Sequence, residues 1–244
     1  FYLAPYPELY KDVFENLKAS NLNKQNGGWV RLMIEKPIGH DLKSAKALND
    51  LLKKYFTEDQ IFRLDHYLGK ETLQNILTFR FGNGIFEPLM NSQYVDHIQI
   101  TAGEDIGIGA RGGYFDKVGT LKDVGQNHLL QMLAIATMNA PKEFINREIT
   151  DRRIEILENL KPLKGKIVYG QYNGYLYEEK VKPNSQADTF FALKTEINTP
   201  TWKGVPIYMR AGKKLAQYVT ELAVVFKKPV NNLFPRHELG NHPN

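Results

Sequence analysis

Apolar residues recur at helical spacing from Pro7 to about Ala19 (Leu9, Val13, Phe14, Leu17), with proline at the start, where a helix tolerates it. Trp29–Ile34 is a short, mostly apolar run that ends at Glu35-Lys36-Pro37 and predicts a strand. A second helix is predicted from Asp41 to about Phe56, with Asp41 as its N-cap and Leu48, Leu51, Leu52 and Tyr55 on the apolar side. Thr57-x-x-Gln60 is a capping-box pattern, and Ile61–Leu64 is apolar enough for a further strand that delivers Asp65-His66-Tyr67 at its end. Strand and helix therefore alternate through residue 68, which predicts an α/β layer on a parallel sheet.

The pattern then changes. Leu73, Ile76, Leu77 and Phe81 form a helical stripe that Gly82-Asn83-Gly84 interrupts, and Tyr94–Ala102 alternates as a half-buried strand does. A glycine-rich stretch covers Gly103–Gly113. Leu121–Met138 is the most apolar segment and predicts one long buried helix, and Ile149–Leu160 predicts an amphipathic one. Four strands follow at Ile167–Tyr172, Thr189–Ile197, Val205–Arg210 and Leu222–Phe226, separated by Gly, Pro and Asn. Helices covering an antiparallel sheet is the α+β reading of this part. The two patterns meet at residues 68 to 70 and divide the chain into 1–69 and 70–244.

Composition narrows the function classes. The 244 residues carry 32 Lys and Arg against 27 Asp and Glu, a net +5 with both signs interspersed. No long basic run marks a nucleic-acid surface, whereas the mild excess suits an anionic metabolite. Cysteine is absent, which excludes disulfide scaffolds, thiolate metal sites and cysteine nucleophiles and is compatible with a cytoplasmic protein. No apolar run approaches the ~20 residues of a membrane span. The six histidines include no H-x-x-x-H or H-E-x-x-H spacing, so no metal site is expected, and no G-x-S-x-G elbow marks a serine hydrolase. The apolar opening Phe1–Ala4 and the polar tail Phe234–Asn244 read as a chain cut at both ends, with His237 and His242 solvated.

Three segments carry candidate chemistry. Gly107-Ile-Gly109-Ala-Arg-Gly112 spells G-x-G-x-x-G, but Glu104-Asp105 separates it from the preceding strand and no β-α-β unit follows, so it reads as a flexible loop. Arg63-Leu-Asp65-His66-Tyr67-Leu-Gly69-Lys70 is denser: Asp65 can orient an imidazole, and His66, Tyr67 and Lys70 are donors suited to a phosphate. Asp123-x-x-Gln126-Asn127-His128 opens the long apolar helix, where polar groups must be paired or face a cleft. His128 is either a satisfied core histidine or a general base. Five residues separate it from Asp123, about 140° around a regular α-helix, so an orienting acid should come from elsewhere, with Asp65 the obvious source.

Taken together, Glu35-Lys36-Pro37-Ile38-Gly39, the Arg63–Lys70 octapeptide, Arg111-Gly-Gly-Tyr-Phe-Asp116, Asp123–Gln131 and Arg210-Ala-Gly-Lys213 closely resemble the glucose-6-phosphate dehydrogenase family, in order and along essentially the whole chain. The resemblance implies the C-terminal part of a Rossmann-like parallel sheet (1–69) followed by a truncated substrate-binding and dimerisation α+β domain (70–244) with a large antiparallel sheet covered by helices. It implies oxidation of C1 of glucose 6-phosphate to 6-phosphogluconolactone, with hydride passing to NADP, in the oxidative pentose phosphate pathway. By resemblance His128 is the base, Asp65 orients it, and His66, Tyr67 and Lys70 hold the phosphate. Glu104, Asp123 and Lys213 bind sugar hydroxyls, and Lys36 bridges substrate and nicotinamide beside Pro37, a proline that is cis in the family.

The resemblance further implies a homodimer or homotetramer. It places the nucleotide fingerprint upstream of Phe1 and more strands beyond Asn244, so this chain alone is expected to be nearly inactive. A non-catalytic sugar-phosphate binding or dimerisation module is the alternative. Two departures stand out: Tyr218 occupies a position where the family usually carries Lys or Arg, and the wording of Pro5-Tyr6-Pro7 is uncommon.

Overall fold

The computed structural model describes residues 1–163 and 167–228; the polar tail with His237 and His242 lies outside the described residues. The chain forms two compact units, Phe1–His66 and Tyr67–Asn244.

In the first unit, β1 (Tyr2–Leu3), β2 (Leu32–Ile34) and β3 (Ile61–Arg63) form a three-stranded sheet in that order, parallel throughout. Helices α1 (Tyr10–Ala19) and α2 (Leu42–Lys53) make the crossovers. Asp41 caps α2 as its sequence implies: its carboxylate accepts from Ser44 N at 2.7 Å, and Ser44 Oγ accepts from Asp41 N at 3.0 Å. Thr57 and Gln60 are linked likewise, Thr57 N donating to Gln60 Oε1 at 3.0 Å. Tyr10, Phe14, Leu32, Ile34, Leu52 and Phe56 close the core, with Phe14 edge-on to Phe56 at 5.8 Å. Burial of each such side chain contributes on the order of 1.5–3 kcal/mol. The predicted strand Trp29–Ile34 shortens to three residues, because Trp29 is exposed and lies under the Arg31 guanidinium at 4.8 Å instead of in the core.

In the second unit, α3 (Glu71–Phe81) precedes β4 (Val95–Gly103), and β5 (Ile167–Gly170), β6 (Phe190–Thr195), β7 (Ile207–Gly212) and β8 (Val219–Phe226) complete a sheet of order β5-β6-β7-β4-β8. Three of its four pairings are antiparallel. The fourth, β4 with β7, is parallel, so the sheet is mixed instead of purely antiparallel. Its buried face packs Ile98, Ile100, Phe191, Ile207 and Met209 against Leu129, Leu133 and Ile135. Trp202, almost fully buried, donates its indole N–H to Thr137 O at 2.7 Å.

The segment predicted as one helix over Leu121–Met138 differs in kind. After α4 (Gly112–Thr120) the chain forms a π-helix over Leu121–Leu129 and becomes α-helical only in α5 (Leu130–Thr137); α6 (Asn146–Glu158) follows. Among the described residues, no helix is long and apolar enough to cross a membrane.

Candidate functional site

The parallel sheet of the first unit delivers its candidates at the carboxyl ends of its strands, where α/β sheets place ligands. Lys36 follows β2 and Asp65 follows β3, with Leu64 N bonded to Ile34 O at 2.9 Å to hold the two ends together. Lys36 and Asp65 are half-buried and His66 is exposed. The Lys36–Pro37 peptide is cis. Glu35 accepts from the Tyr2 hydroxyl, and its carbonyl accepts from the Tyr10 hydroxyl at 3.5 Å, which fixes the turn carrying Lys36.

The second unit brings six of the predicted residues into two groups. In the first, the Tyr67 ring stacks on the His128 imidazole at 4.1 Å with 10° between planes, and Lys70 Nζ lies 3.8 Å from the centroid of the Tyr67 ring. A cation over an aromatic face is held by the ring's quadrupole, so Lys70, Tyr67 and His128 form one column. His128 is only 2% exposed and Asp123 5%. Both stand on the π-helix, whose hydrogen bonds run i→i+5, as from Leu130 N to Gly125 O. A spacing of five is therefore one hydrogen-bond repeat, and Asp123 and His128 lie on successive turns of one face. The 140° separation expected of a regular helix does not apply. Tyr114, whose role no motif of the sequence signals, donates its hydroxyl to Asp123 Oδ1 at 3.4 Å, and Arg111 lies over the Tyr114 ring at 5.2 Å. Burial pushes the Tyr114 hydroxyl up, and the Asp123 charge adds to the shift.

The second group is an ion pair. Lys213 Nζ sits 2.6 Å from Glu104 Oε1, with the lysine almost fully buried and the glutamate about one-third exposed. The parallel pairing of β4 and β7 explains their meeting: Gly103 and Gly212 are register partners, so the next residue of each strand emerges at the same edge. Glu104 N bonds Gly212 O at 2.9 Å, and Leu215 N returns to Glu104 O at 2.9 Å. An antiparallel pairing would have carried them to opposite ends.

The glycine-rich stretch is ordered structure instead of a flexible loop. Gly109–Arg111 is a single 3-10 turn, and a Cβ on Gly112 would lie 2.0 Å from Glu179 O, so this glycine serves close backbone packing. Among the described residues no three His, Asp or Glu gather as a metal site would require. Tyr218 is exposed ahead of β8.

The comparisons with known proteins agree from end to end. Residues 1–75 match the family model for the NAD binding domain of glucose-6-phosphate dehydrogenase, and residues 77–244 match that for its C-terminal domain. The glucose-6-phosphate 1-dehydrogenase of Chlamydia pneumoniae is 45% identical over all of this chain and 51% of its own length. A glucose-6-phosphate dehydrogenase solved in complex with its substrate glucose 6-phosphate superposes with a TM-score of 0.90 at 40% identity, over 96% of this chain and 50% of that one. The glucose-6-phosphate 1-dehydrogenase of Mycobacterium avium gives a TM-score of 0.91 at 38% identity, over 100% and 54%. The chain spans about half the length of the relatives it matches. With both family models accounting for nearly every residue, and the Arg63–Lys70 and Asp123–Gln131 motifs in their expected order, the chain belongs to the glucose-6-phosphate dehydrogenase family.

Proposed function

We propose that the protein oxidises C1 of glucose 6-phosphate to 6-phosphogluconolactone, with His128 as general base. The observation that carries this reading is the Lys70–Tyr67–His128 column: a buried imidazole stacked on a ring that also bears an ammonium, next to Asp123 on the same helical face. His128 takes the proton of the C1 hydroxyl as the C1–H bond yields its hydride and the C1–O bond becomes a carbonyl. Asp65 stabilises the resulting imidazolium. His66, Tyr67 and Lys70 hold the phosphate; Glu104, Asp123 and Lys213 hold sugar hydroxyls. The Glu104–Lys213 pair supports that assignment, since a buried cation with its own carboxylate presents donor and acceptor together.

A nicotinamide cofactor, when bound, accepts the hydride. Lys36, at the carboxyl end of β2 in a parallel sheet, has the charge and position to serve that cofactor, which we take to be NADP. The family's NAD binding domain supports a nicotinamide cofactor in general. We place the reaction in the cytoplasm, in the oxidative pentose phosphate pathway, and assign residues 70–244 to substrate binding and to assembly as a homodimer or homotetramer.

The test is reduction of NADP, with NAD for comparison, by the full-length gene product supplied with glucose 6-phosphate. His128→Asn is expected to lower kcat by about 10²–10⁴-fold with little change in substrate affinity. Asp65→Asn should move kcat the same way, and Lys70→Ala should mainly raise KM. Wild-type kcat in the His128 variant would remove the base assignment. Glucose 6-phosphate binding without turnover in the wild type would favour a sugar-phosphate binding module.

A further inference from the structure

The helix that bears Asp123 and His128 does not cap itself. Gly119 breaks the path of α4 at φ +72, and the first N–H groups of the new helix then need partners from outside it. Asp188 supplies them from 67 residues away. Its carboxylate accepts from Leu121 N at 2.8 Å, and its carbonyl accepts from Thr120 N at 2.8 Å and Thr120 Oγ1 at 3.1 Å. Gly119 is fitted to this contact, since a Cβ there would lie 2.2 Å from Asp188 Oδ1. The neighbouring residue is tied to the other half of the site: the Thr189 carbonyl accepts from Lys213 N at 2.8 Å, and the Thr189 side chain is fully buried. Two residues further on, within β6, the Phe191 ring lies where a Cβ on Gly125 would meet it at 2.6 Å, so strand and π-helix touch again between Asp123 and His128. The dipeptide Asp188-Thr189 thus holds the start of the His128 helix with one residue and the Lys213 strand end with the next.

Resting on the functional reading above, we propose that Asp188 is a positioning residue: as a cap supplied from a distant segment, it sets the His128–Asp123 face relative to the Glu104–Lys213 pair. It touches neither substrate nor reacting atoms. A displaced cap lets the first turn rotate or fray, which moves Asp123 first and His128 with it, and errors of about 1 Å at such groups cost up to about 10²-fold in rate.

The experiment compares Asp188→Ala, Asp188→Asn and Gly119→Ala with wild type and His128→Asn in the full-length gene product. It measures kcat, KM for glucose 6-phosphate, the pH profile of kcat and amide hydrogen exchange over residues 119–130. Asp188→Ala is expected to lower kcat about tenfold, raise KM severalfold and shift the acid limb of the profile, with faster exchange confined to the first turns. Asp188→Asn, which keeps an acceptor oxygen, should restore all four to near wild type. Gly119→Ala, which pushes the carboxylate away, should repeat the alanine phenotype and serves if Asp188→Ala does not fold. Faster exchange with unchanged kcat, KM and pH profile would overturn the proposal. So would a fall in kcat that only follows the folded fraction. A wild-type protein without turnover would instead sink the functional reading, and the exchange data would still decide whether Asp188 caps the helix.

Discussion

At the scale of single residues, Asp188 also carries a pH signature. Burial pushes its carboxyl up, and the N–H bonds from Leu121 and Thr120 and the nearby Lys122 charge pull the other way without reversing the shift. A carboxyl held above its ordinary range binds its proton more tightly folded than unfolded. Its contribution to stability is then fully present below the ordinary aspartate pKa and is lost as pH rises through the raised value. Urea unfolding of wild type and Asp188→Asn across that window should show wild type losing ground to the variant as pH climbs. A constant difference would mean that the group does not titrate abnormally. Asp188→Ala, which deletes the acceptor, should cost about 1 kcal/mol at neutral pH. Tyr175 offers a spectroscopic companion. Burial first, and then its bond to Asp116 Oδ1 at 3.1 Å, push its hydroxyl up to about 12, so absorbance titration should leave it unionised after exposed tyrosines have titrated.

At the scale of elements, α3 is tied to α5 through Arg80. Arg80 is 2% exposed, and its guanidinium donates to Ile135 O at 3.1 Å and to both carboxylate oxygens of Glu87 at 2.9 and 3.1 Å. Glu87→Ala would leave that charge buried without its counter-ion. We expect a loss of about 2–3 kcal/mol in chemical denaturation, at the lower end for such pairs because Glu87 is one-third exposed. Replacing both residues by apolar ones of similar size should recover much of it, and a double variant no better than the single one would contradict the account.

Elements governed by local chemistry were legible in the sequence. Asp41 announces α2, Gly82 ends α3, and the strand–helix alternation through residue 68 is the parallel sheet observed. Elements governed by distant contacts were not. Nothing near Leu121 signals a π-helix, because its entry is set by Asp188 and its middle by Phe191 against Gly125. The parallel pairing of β4 with β7 joins segments more than a hundred residues apart, and only that pairing explains why Glu104 and Lys213, both singled out by resemblance, bond directly. Tyr114 sat within a recognised motif, yet its bond to Asp123 required the helix geometry.

At the scale of the whole molecule, the two units have different characters. The first is a layered parallel sheet with its own closed core, and the second is a mixed sheet with helices on one face, whose described strands run from β5 to β8. That last strand has a consequence for handling the protein. Among the described residues β8 is bonded to β4 alone, and its Leu222-Ala223-Val224-Val225-Phe226 run has no charge or proline. Leu222, Val224 and Phe226 pack toward the core, leaving Ala223 and Val225 on the other face. A β-rich, uncharged run is a template for misassembly whenever the sheet opens, and the charges that bracket it, Glu221 and Lys227-Lys228, act as gatekeepers. Under mild denaturant, fibril-dye fluorescence should therefore rise with protein concentration, and Val225→Lys should suppress that rise without lowering the unfolding midpoint. The strand that pairs longest with β4 is also where aggregation would begin.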